Sequence, residues 1–546
     1  MWLNFIFRRT APVPFLESIL IKEAKKESLR FQRSLFDSFS YGFVVGGERE
    51  SLLRFSENLS KNLPLSLFFF FIKVEPLEGE PPSLETLAEN PAQGVMDFTP
   101  LEMEAFLPKE GERSLRSLPW RVSFQLKGEK RENLEGEALY EAFEALAKKV
   151  LEGESILITT RRGLYQLSLK GTKKPQKGEN KPLFMPLDVA SAELLFRVCE
   201  PELNALATWE KPRIELAPKG VFLDRFEGAL YPESGVEVLL PYDLPLMILS
   251  HFLRAHEVEM VVLERALEGE GEGLFYENSE PLESLKVCVS DDSTVLVTDR
   301  ERGGLIPDYS TLISKLLEEN HLHEGALALH LSHHAPSYFW LIQGEARRSV
   351  MRFELPLNPA LLWQEIAQSG ETGESLTQNF SREFPELAKR IQNSQAQGVS
   401  ENLNDWVGMA GFFLGLQEEW NPKGAQEALW SKAKAFLGAK GPRVDFPLKK
   451  EESGRVGLDA TRVIRSCMSF KLAGIDDETL AFGVIDSLAE FWGNLLRDMS
   501  ENFAQERVIL SGSLLSNRAF LNKILQYTPK HLQLHFPLQT PLDFVS

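Results

Sequence analysis

The feature that most constrains the fold is the alternation of short apolar segments with amphipathic ones, which begins at the first residues. Residues 17–26 and 48–63 have the apolar spacing of helices, whereas 41–45 and 67–74 have the composition of strands. The apolar run 65–72 is too short to cross a bilayer and predicts a buried strand. This order predicts a small α+β unit over residues 1–78.

The rest of the chain divides by pattern into three further regions. Residues 79–118 are acidic with scattered Pro and Gly and predict no firm structure. Strand and helix patterns alternate over 119–308, and 309–546 is richer in helices, ending in a strand-loop-helix unit at 507–525. A chain of 546 residues is too long for one hydrophobic core. The sequence therefore predicts a multi-domain protein of the α/β class, combining α+β and α/β domains.

Charge and cysteine content exclude several classes of protein. The formal net charge is -19, and no basic run is present that could displace counterions from nucleic-acid phosphates or bind an anionic membrane. Cys199, Cys288 and Cys467 lie far apart and form no C-x-x-C pair, so we expect three reduced thiols. The first residues contain no continuous apolar segment of the signal-peptide kind. We expect a cytoplasmic protein that binds neither nucleic acid nor membrane.

Four segments follow one another in a characteristic order: 41–77 (YGFVVGGERE…IKVEPL), 181–219 (KPLFMPLDVA…ELAPK), 239–249 (LLPYDLPLMIL) and 510–518 (LSGSLLSNR). Together they resemble the HypF-type carbamoyltransferases of [NiFe]-hydrogenase maturation. The second is similar to the family's KPFAVM helix and RPIVLL strand, and the last to its LSGGVFQNR motif. The resemblance assigns 1–78 to an acylphosphatase-like remnant and 79–118 to a linker in place of the zinc region. It assigns 119–308 to a YrdC-like domain and 309–546 to a helix-rich, actin/Hsp70-like carbamoyl-transfer domain.

The resemblance also implies a reaction sequence. In the family, the YrdC-like domain makes a carbamoyl adenylate from carbamoyl phosphate and ATP. The C-terminal domain then transfers the carbamoyl group to the C-terminal cysteine thiolate of a HypE-type partner, on the way to the cyanide ligand. ATP and carbamoyl phosphate are therefore the ligands that the resemblance implies for this chain.

The catalytic motifs of the family depart from their pattern here. Thr10-Ala-Pro-Val-Pro-Phe15 replaces the acylphosphatase loop V-Q-G-V-G-F-R-P-F, and its prolines remove N–H donors that an anion-binding loop needs. The repeated C-x-x-C pairs are absent, so we expect no zinc. The F-D-G-T-G nucleotide loop is also missing.

Two sets of residues remain candidates for binding nucleotide or phosphate. Lys174, Lys177 and Lys181 precede the KPF-like segment, where they supply positive charge without the bidentate geometry of arginine; they fit a solvated lysine loop as well. In the LSGS segment, Gly512 can adopt positive φ and Asn517 can cap the next helix. That segment fits a strand-turn-helix connection as well as a nucleotide site.

Two histidines are candidates for metal binding. His330 and His334 have H-x-x-x-H spacing, which on a helix would place both rings on one face, although structural roles are an alternative. When His333-His334-Ala335 is aligned with the family's HHHAH cluster, Pro336 replaces its last ligand. Asp543 is a candidate replacement for the aspartate near the family's C-terminus.

The preserved apolar pattern and altered polar loops predict a catalytically impaired HypF-like protein, a pseudoenzyme with a binding or assembly role. The alternative is an active carbamoyltransferase or carbamoyl-adenylate-forming enzyme. A HypE-type protein or a full-length HypF is the expected partner. Four tryptophans in or beside predicted helices are candidate interface anchors, with burial in the core as the alternative: Trp406, Trp420, Trp430 and Trp492.

Overall fold

The computed structural model describes residues 1–10, 14–35, 40–78, 98–170, 181–225, 235–266, 271–277, 282–300, 304–351, 353–450 and 456–545. The chain forms two compact units, Met1–Val289 and Ser290–Ser546. The predicted α+β unit thus shares one compact unit with most of the following α/β region. Among the described helices, none has the length and apolar character needed to span a bilayer.

The first unit begins with a βαββαβ arrangement, the order of ferredoxin-like folds. Its sheet has the antiparallel order β2-β3-β1-β4, and Phe5, Phe7, Phe43 and Phe55 pack in the core between sheet and helices. The predicted helices and strands are confirmed, whereas the first two strands were missing from the prediction. The elements are β1 Trp2–Arg9, α1 Pro14–Lys26, β2 Arg30–Leu35, β3 Ser40–Gly46, α2 Arg49–Asn62 and β4 Phe69–Leu77.

The prediction of a buried strand over 65–72 is wrong for most of β4. Phe69 is buried, but Phe70, Phe71 and Ile72 are 52%, 50% and 52% exposed. The physical reason is position: β4 is an edge strand that pairs with β1, so its outer side has no neighbouring strand among the described residues. An apolar run predicts a strand but does not say where in the sheet the strand lies.

The remainder of the first unit is built around a large mixed sheet with the order β15-β11-β12-β9-β13-β8-β7-β14-β5-β6. Helices α4 and α8 pack on each other over this sheet through Phe143 and Phe252. The elements are α3 Pro100–Glu104, β5 Val122–Leu126, β6 Glu129–Glu132, α4 Gly136–Leu151, β7 Ile156–Thr160, β8 Gly163–Ser168, β9 Leu183–Pro186, α5 Val189–Leu195, β10 Phe196–Arg197, α6 Glu200–Ala207, β11 Arg213–Pro218, α7 Gly220–Arg225, β12 Val236–Val238, α8 Leu244–Arg254, β13 Met260–Arg265, β14 Gly273–Tyr276 and β15 Leu285–Val289.

A turn after α6 joins the two parts of the first unit. Trp209 stacks near Phe15 of α1, with ring centroids 5.4 Å apart, and its backbone N–H donates to the Leu65 carbonyl at 2.7 Å. The Glu210 carboxylate accepts from Ser66 Oγ at 2.6 Å and from Leu67 N at 3.0 Å. Burial raises the pKa of Glu210, although these hydrogen bonds oppose the shift.

The second unit contains a sheet with the order β19-β18-β17-β24-β25, in which β17 and β24 run parallel. The long helix α16 is buried along much of its length. The elements are β16 Val295–Arg300, α9 Tyr309–Glu319, β17 Gly325–His330, β18 Tyr338–Gln343, β19 Ala346–Met351, β20 Leu355–Pro356, α10 Pro359–Ala367, α11 Glu371–Glu383, α12 Pro385–Asn393, β21 Val399–Ser400, α13 Leu403–Phe413, α14 Pro422–Ala435, β22 Leu448–Lys450, β23 Val456–Leu458, α15 Ala460–Leu472, α16 Asp477–Phe503, β24 Arg507–Ser511, α17 Arg518–Tyr527 and β25 Gln533–His535.

The tryptophans of this unit belong mainly to its interior. Trp406, Trp430 and Trp492 are buried, and Trp420 is half-buried, with Nε1 donating to the Leu357 carbonyl at 3.0 Å. The interpretation of the first three as exposed interface anchors is therefore wrong, and the alternative of core packing is confirmed. Aromatic residues on amphipathic helices most often face the core, because their apolar area stabilises the fold when buried.

Candidate functional site

The parallel pair β17 and β24 brings two polar residues together at the ends of adjacent strands. His330 is the last residue of β17, Ser511 is the last residue of β24, and the two are paired in register. Parallel strands present their carboxyl ends at the same edge of a sheet, which is where α/β proteins commonly bind ligands. The segment 510–518, singled out in the sequence, thus leads directly into the candidate site.

The loop after β24 depends on one glycine. Gly512 has φ 102° and ψ 148°, a combination that is essentially restricted to glycine. A Cβ atom at this position would lie 2.1 Å from the Leu331 carbonyl oxygen. A short 3₁₀ turn follows over Ser513–Ser516, and the Asn517 side chain then accepts from Phe520 N at 3.2 Å. The predicted positive φ of Gly512 and the helix-capping role of Asn517 are confirmed.

We define the His330 cluster as His330, Ser332, Ser511, Ser513 and Asp543. The ring of His330 lies with Nδ1 3.0 Å from Ser511 Oγ and Nε2 3.1 Å from Asp543 Oδ1. Asp543 Oδ2 accepts from Ser332 Oγ at 2.9 Å and from Ser513 N at 3.3 Å. His330, Ser332 and Ser511 are almost completely buried. Nε2 of His330 and Oδ1 of Asp543 lie at ion-pair distance but lack hydrogen-bond geometry, so the serines and backbone satisfy only part of the cluster.

The electrostatics of the cluster favour an ionised Asp543. Burial raises the pKa of this carboxyl, but His330, Ser513 and Ser332 outweigh burial and hold the pKa below its usual value. The charge of the nearby carboxylate favours a proton on Nε2 of His330, although Nε2 and Oδ1 of Asp543 lack hydrogen-bond geometry. Nδ1 is then left to accept from the Ser511 hydroxyl.

A second polar network extends from the loop after β17 to α13 and α14. His333 N donates to Ser513 Oγ at 2.9 Å, and Nδ1 of the ring lies 3.1 Å from the Asn404 side-chain nitrogen. Asn404 also donates to Gln426 Oε1 at 3.0 Å and accepts from Trp430 Nε1 at 2.8 Å. Burial, reinforced by neighbouring His334, lowers the pKa of His333 to about 4. His333 is therefore a neutral hydrogen-bond acceptor at physiological pH.

A cavity of about 310 Å³ opens beside the His330 cluster within the second unit. Its volume lies at the lower end of the range for small-molecule sites. Its polar lining includes Thr298, Asp299, Arg300, Ser513 and Asp543. The cavity could accommodate a small polar ligand next to Asp543.

The predicted site residues have different outcomes. Lys174 and Lys177 lie outside the described residues, and Lys181 is exposed just before β9. His330 and His334 do not share a helix face, because His330 ends a buried strand and His334 lies exposed in the following loop. Their role as metal ligands remains a prediction. The residues that the structure describes contain no group of three or more His, Cys, Asp and Glu side chains suited to a metal ion.

Sequence reasoning missed the serines and amides of these networks, since Ser, Asn and Gln are common and their partners lie far away in the chain.

Sequence reasoning also missed a buried cluster in the first unit. The Asp243 carboxylate accepts from Arg161 N at 2.8 Å and from the Tyr276 hydroxyl, and burial raises the pKa of Asp243. Arg162 donates to the Glu210 carbonyl at 2.7 Å, and its guanidinium carbon lies 4.2 Å from the centroid of the Tyr242 ring. Arg161 and Arg162, which directly follow β7, were the sequence signal that could have indicated this buried cluster.

These features define a class: a multi-domain mixed α/β protein with a ferredoxin-like start, a large mixed sheet and a second α/β unit that carries a buried His–Asp–Ser cluster. No protein-family model matches the chain. In structure it is similar to HypF of T. kodakarensis, with a TM-score of 0.59 and 12% identity, covering 99% of this chain and 96% of that one. A full-length HypF in a phosphate- and nucleotide-bound form aligns with a TM-score of 0.54 and 12% identity, over 73% of this chain and 84% of that one. The chain therefore has a HypF-like fold over nearly its whole length.

Proposed function

We propose that this protein is a catalytically impaired HypF homologue that keeps a binding or assembly role in [NiFe]-hydrogenase maturation. The observation that supports this most directly is that the protein's own Ser332 Oγ and Ser513 N already donate hydrogen bonds to Asp543. Asp543, the candidate for the family's C-terminal aspartate, already contacts His330, Ser332 and Ser513. A metal ion or nucleotide that required this carboxylate would have to replace those contacts, and each buried partner left unsatisfied costs about 1–3 kcal/mol.

The altered histidine segment supports the same proposal. In the alignment with HHHAH, Ser332 takes the first position and Pro336 the last. The Ser332 hydroxyl donates to Asp543, and proline offers no side-chain donor or ligand atom. His333 is held by Asn404 in an amide network. His333 thus makes a structural contact, whereas His334 is exposed in a loop.

An enzymatic function is the second candidate, favoured by two observations. The cavity of about 310 Å³ has a polar lining next to Asp543. In the first unit, Arg161 and Arg162 lie beside the buried Asp243, and perturbed buried carboxyls are frequent at catalytic sites. An adenylate-forming activity that uses ATP and carbamoyl phosphate would draw on residues of this kind.

Two measurements on the full chain distinguish the candidates. The first follows AMP and pyrophosphate release from ATP with carbamoyl phosphate, alongside calorimetric titration with each ligand and a full-length HypF as positive control. The second is co-purification from a hydrogenase-producing host. We expect recovery of a HypE-type protein or a HypF without turnover. Turnover that is lost in Arg162→Lys, without recovery of any maturation protein, would establish the enzymatic candidate instead.

A further inference from the structure

Strand β4 presents an apolar edge to solvent. Phe70, Phe71 and Ile72 are each about half exposed, and Val74 is 37% exposed. Among the described residues β4 pairs only with β1. An exposed sheet edge offers backbone N–H and C=O groups that can pair with another strand, and apolar side chains there favour such pairing.

Two other edge strands among the described residues carry exposed charged side chains. The edge strand β6 consists of four exposed charged residues, Glu129–Glu132, and the edge strand β19 carries exposed Arg347 and Arg348. Charged side chains are a common means of preventing unwanted edge pairing. Strand β4 also carries an exposed Lys73 and Pro76, but it differs from β6 and β19 in the exposed apolar residues Phe70, Phe71 and Ile72.

The charges of β4 are arranged to complement a second copy of the same strand. Lys73 is exposed and Glu75 is half-buried, and their side chains form an ion pair 2.5 Å apart on one face of the sheet. In an antiparallel pairing centred on Val74, Lys73 lies opposite Glu75 of the second copy, and Glu75 lies opposite its Lys73. The same register places Phe71 opposite Leu77. Such a pairing has the two-fold symmetry of an isologous dimer interface.

We propose that β4 pairs with β4 of a second copy of this chain in an antiparallel dimer centred on Val74. The two four-stranded sheets would then form one continuous sheet, and the helices of both copies would lie on the same side of it. Directly opposed unlike charges stabilise such a pair of strands, and like charges destabilise it by a similar amount. This inference is independent of the proposed carbamoyl chemistry and partner.

The experiment measures the dimer dissociation constant of the full chain by sedimentation over a concentration series. Lys73→Glu alone and Glu75→Lys alone each oppose like charges twice, so each should weaken the dimer by about tenfold. A one-to-one mixture of the two variants should form a heterodimer with wild-type affinity, because every opposed pair is again unlike. The double variant K73E/E75K should also dimerise as the wild type does.

The control pair is Lys130→Glu and Glu132→Lys. These residues form a comparable exposed ion pair on β6, at 2.7 Å, and their substitution should leave the dimer unchanged. Ile72→Lys, checked for native circular dichroism, provides a second variant that should abolish the dimer. A wild-type protein that stays monomeric at its highest soluble concentration overturns the proposal. So does a dimer that is insensitive to the β4 variants or is not restored in the mixture.

Discussion

At the scale of single residues, burial and neighbouring groups set the ionisation of Asp543 and His333 at the candidate site. Asp543 is ionised because its contacts with His330 and two serines outweigh the cost of burial. His333 is neutral because burial disfavours its charged form. Both groups link the stability of the fold to pH, in windows set by their own pKa values.

We predict that Asp543→Asn destabilises the protein by about 1–3 kcal/mol at neutral pH, because Ser332 and Ser513 lose a charged acceptor. The folded pKa of Asp543 lies below its usual value, so its stabilising contribution is present above about pH 4 and is lost as pH falls further. Urea unfolding at several pH values tests this. A difference between variant and wild type that persists unchanged in acid would contradict it.

We predict that His333 makes the protein less stable as pH falls from about 6.5 to about 4. In this window the unfolded chain binds a proton and the folded protein does not, so the loss approaches about 3 kcal/mol. His333→Gln keeps an acceptor for Asn404 but cannot be protonated, and should lose less stability across the window. Parallel slopes for the two proteins would show that His333 does not titrate as inferred.

At the scale of elements, the site depends on how loops and termini are held. Gly512 allows the chain leaving β24 to pass against Leu331. The C-terminal segment is held by α9: the Glu319 carboxylate accepts from Leu538 N at 3.0 Å, Gln539 N at 3.1 Å and Thr540 N at 3.0 Å. Three successive amides directed at one carboxylate form a small anion-binding nest, filled here by the protein's own side chain.

We predict that Gly512→Ala destabilises the second unit by roughly 3 kcal/mol or more, since it combines a backbone conformation restricted to glycine with a clash against the Leu331 carbonyl. The matched control is Gly474→Ala, where φ is 77° and no atom lies within 4 Å of the added Cβ. That variant should cost only about 1–2 kcal/mol. Thermal unfolding of both variants tests the prediction, and equal costs would refute the role of the close approach.

We predict that Glu319→Gln weakens the attachment of residues 538–540, because hydrogen bonds to a charged acceptor are replaced by weaker ones; the expected loss is about 1–3 kcal/mol. Hydrogen exchange at the three amides should accelerate in this variant. Glu318→Gln, on the exposed side of the same helix, serves as the control and should leave exchange unchanged. Unchanged protection in Glu319→Gln would show that the nest does not hold the segment.

At the scale of the whole molecule, the chain forms two compact units, each with its own hydrophobic core. We predict that fragments 1–289 and 290–546 each fold when produced separately, because a compact unit with its own core is the usual basis of independent folding. Circular dichroism and chemical-shift dispersion of each fragment test this. A fragment that is unfolded alone, but folds when its counterpart is added, would contradict it.

Local sequence patterns were enough to predict most helices and strands and the overall resemblance to HypF. The spacing of apolar residues along α2, α4, α13 and α16 is a local property, because each helix must bury one apolar stripe wherever it packs. The strand-loop-helix unit with Gly512 and Asn517 was predictable for the same reason: its glycine and its cap act within a few residues.

Local patterns could not predict which residues these elements bring together, because that depends on long-range packing. His330 meets Ser511 and Asp543 across long stretches of chain, because β17 and β24 are neighbours in the sheet and the C-terminal segment returns to their ends. Periodicity likewise could not place β4 at an edge or predict that Trp492 is buried completely. Local patterns specify which residues form a strand or helix, whereas long-range packing decides which surfaces face each other and which polar groups become partners.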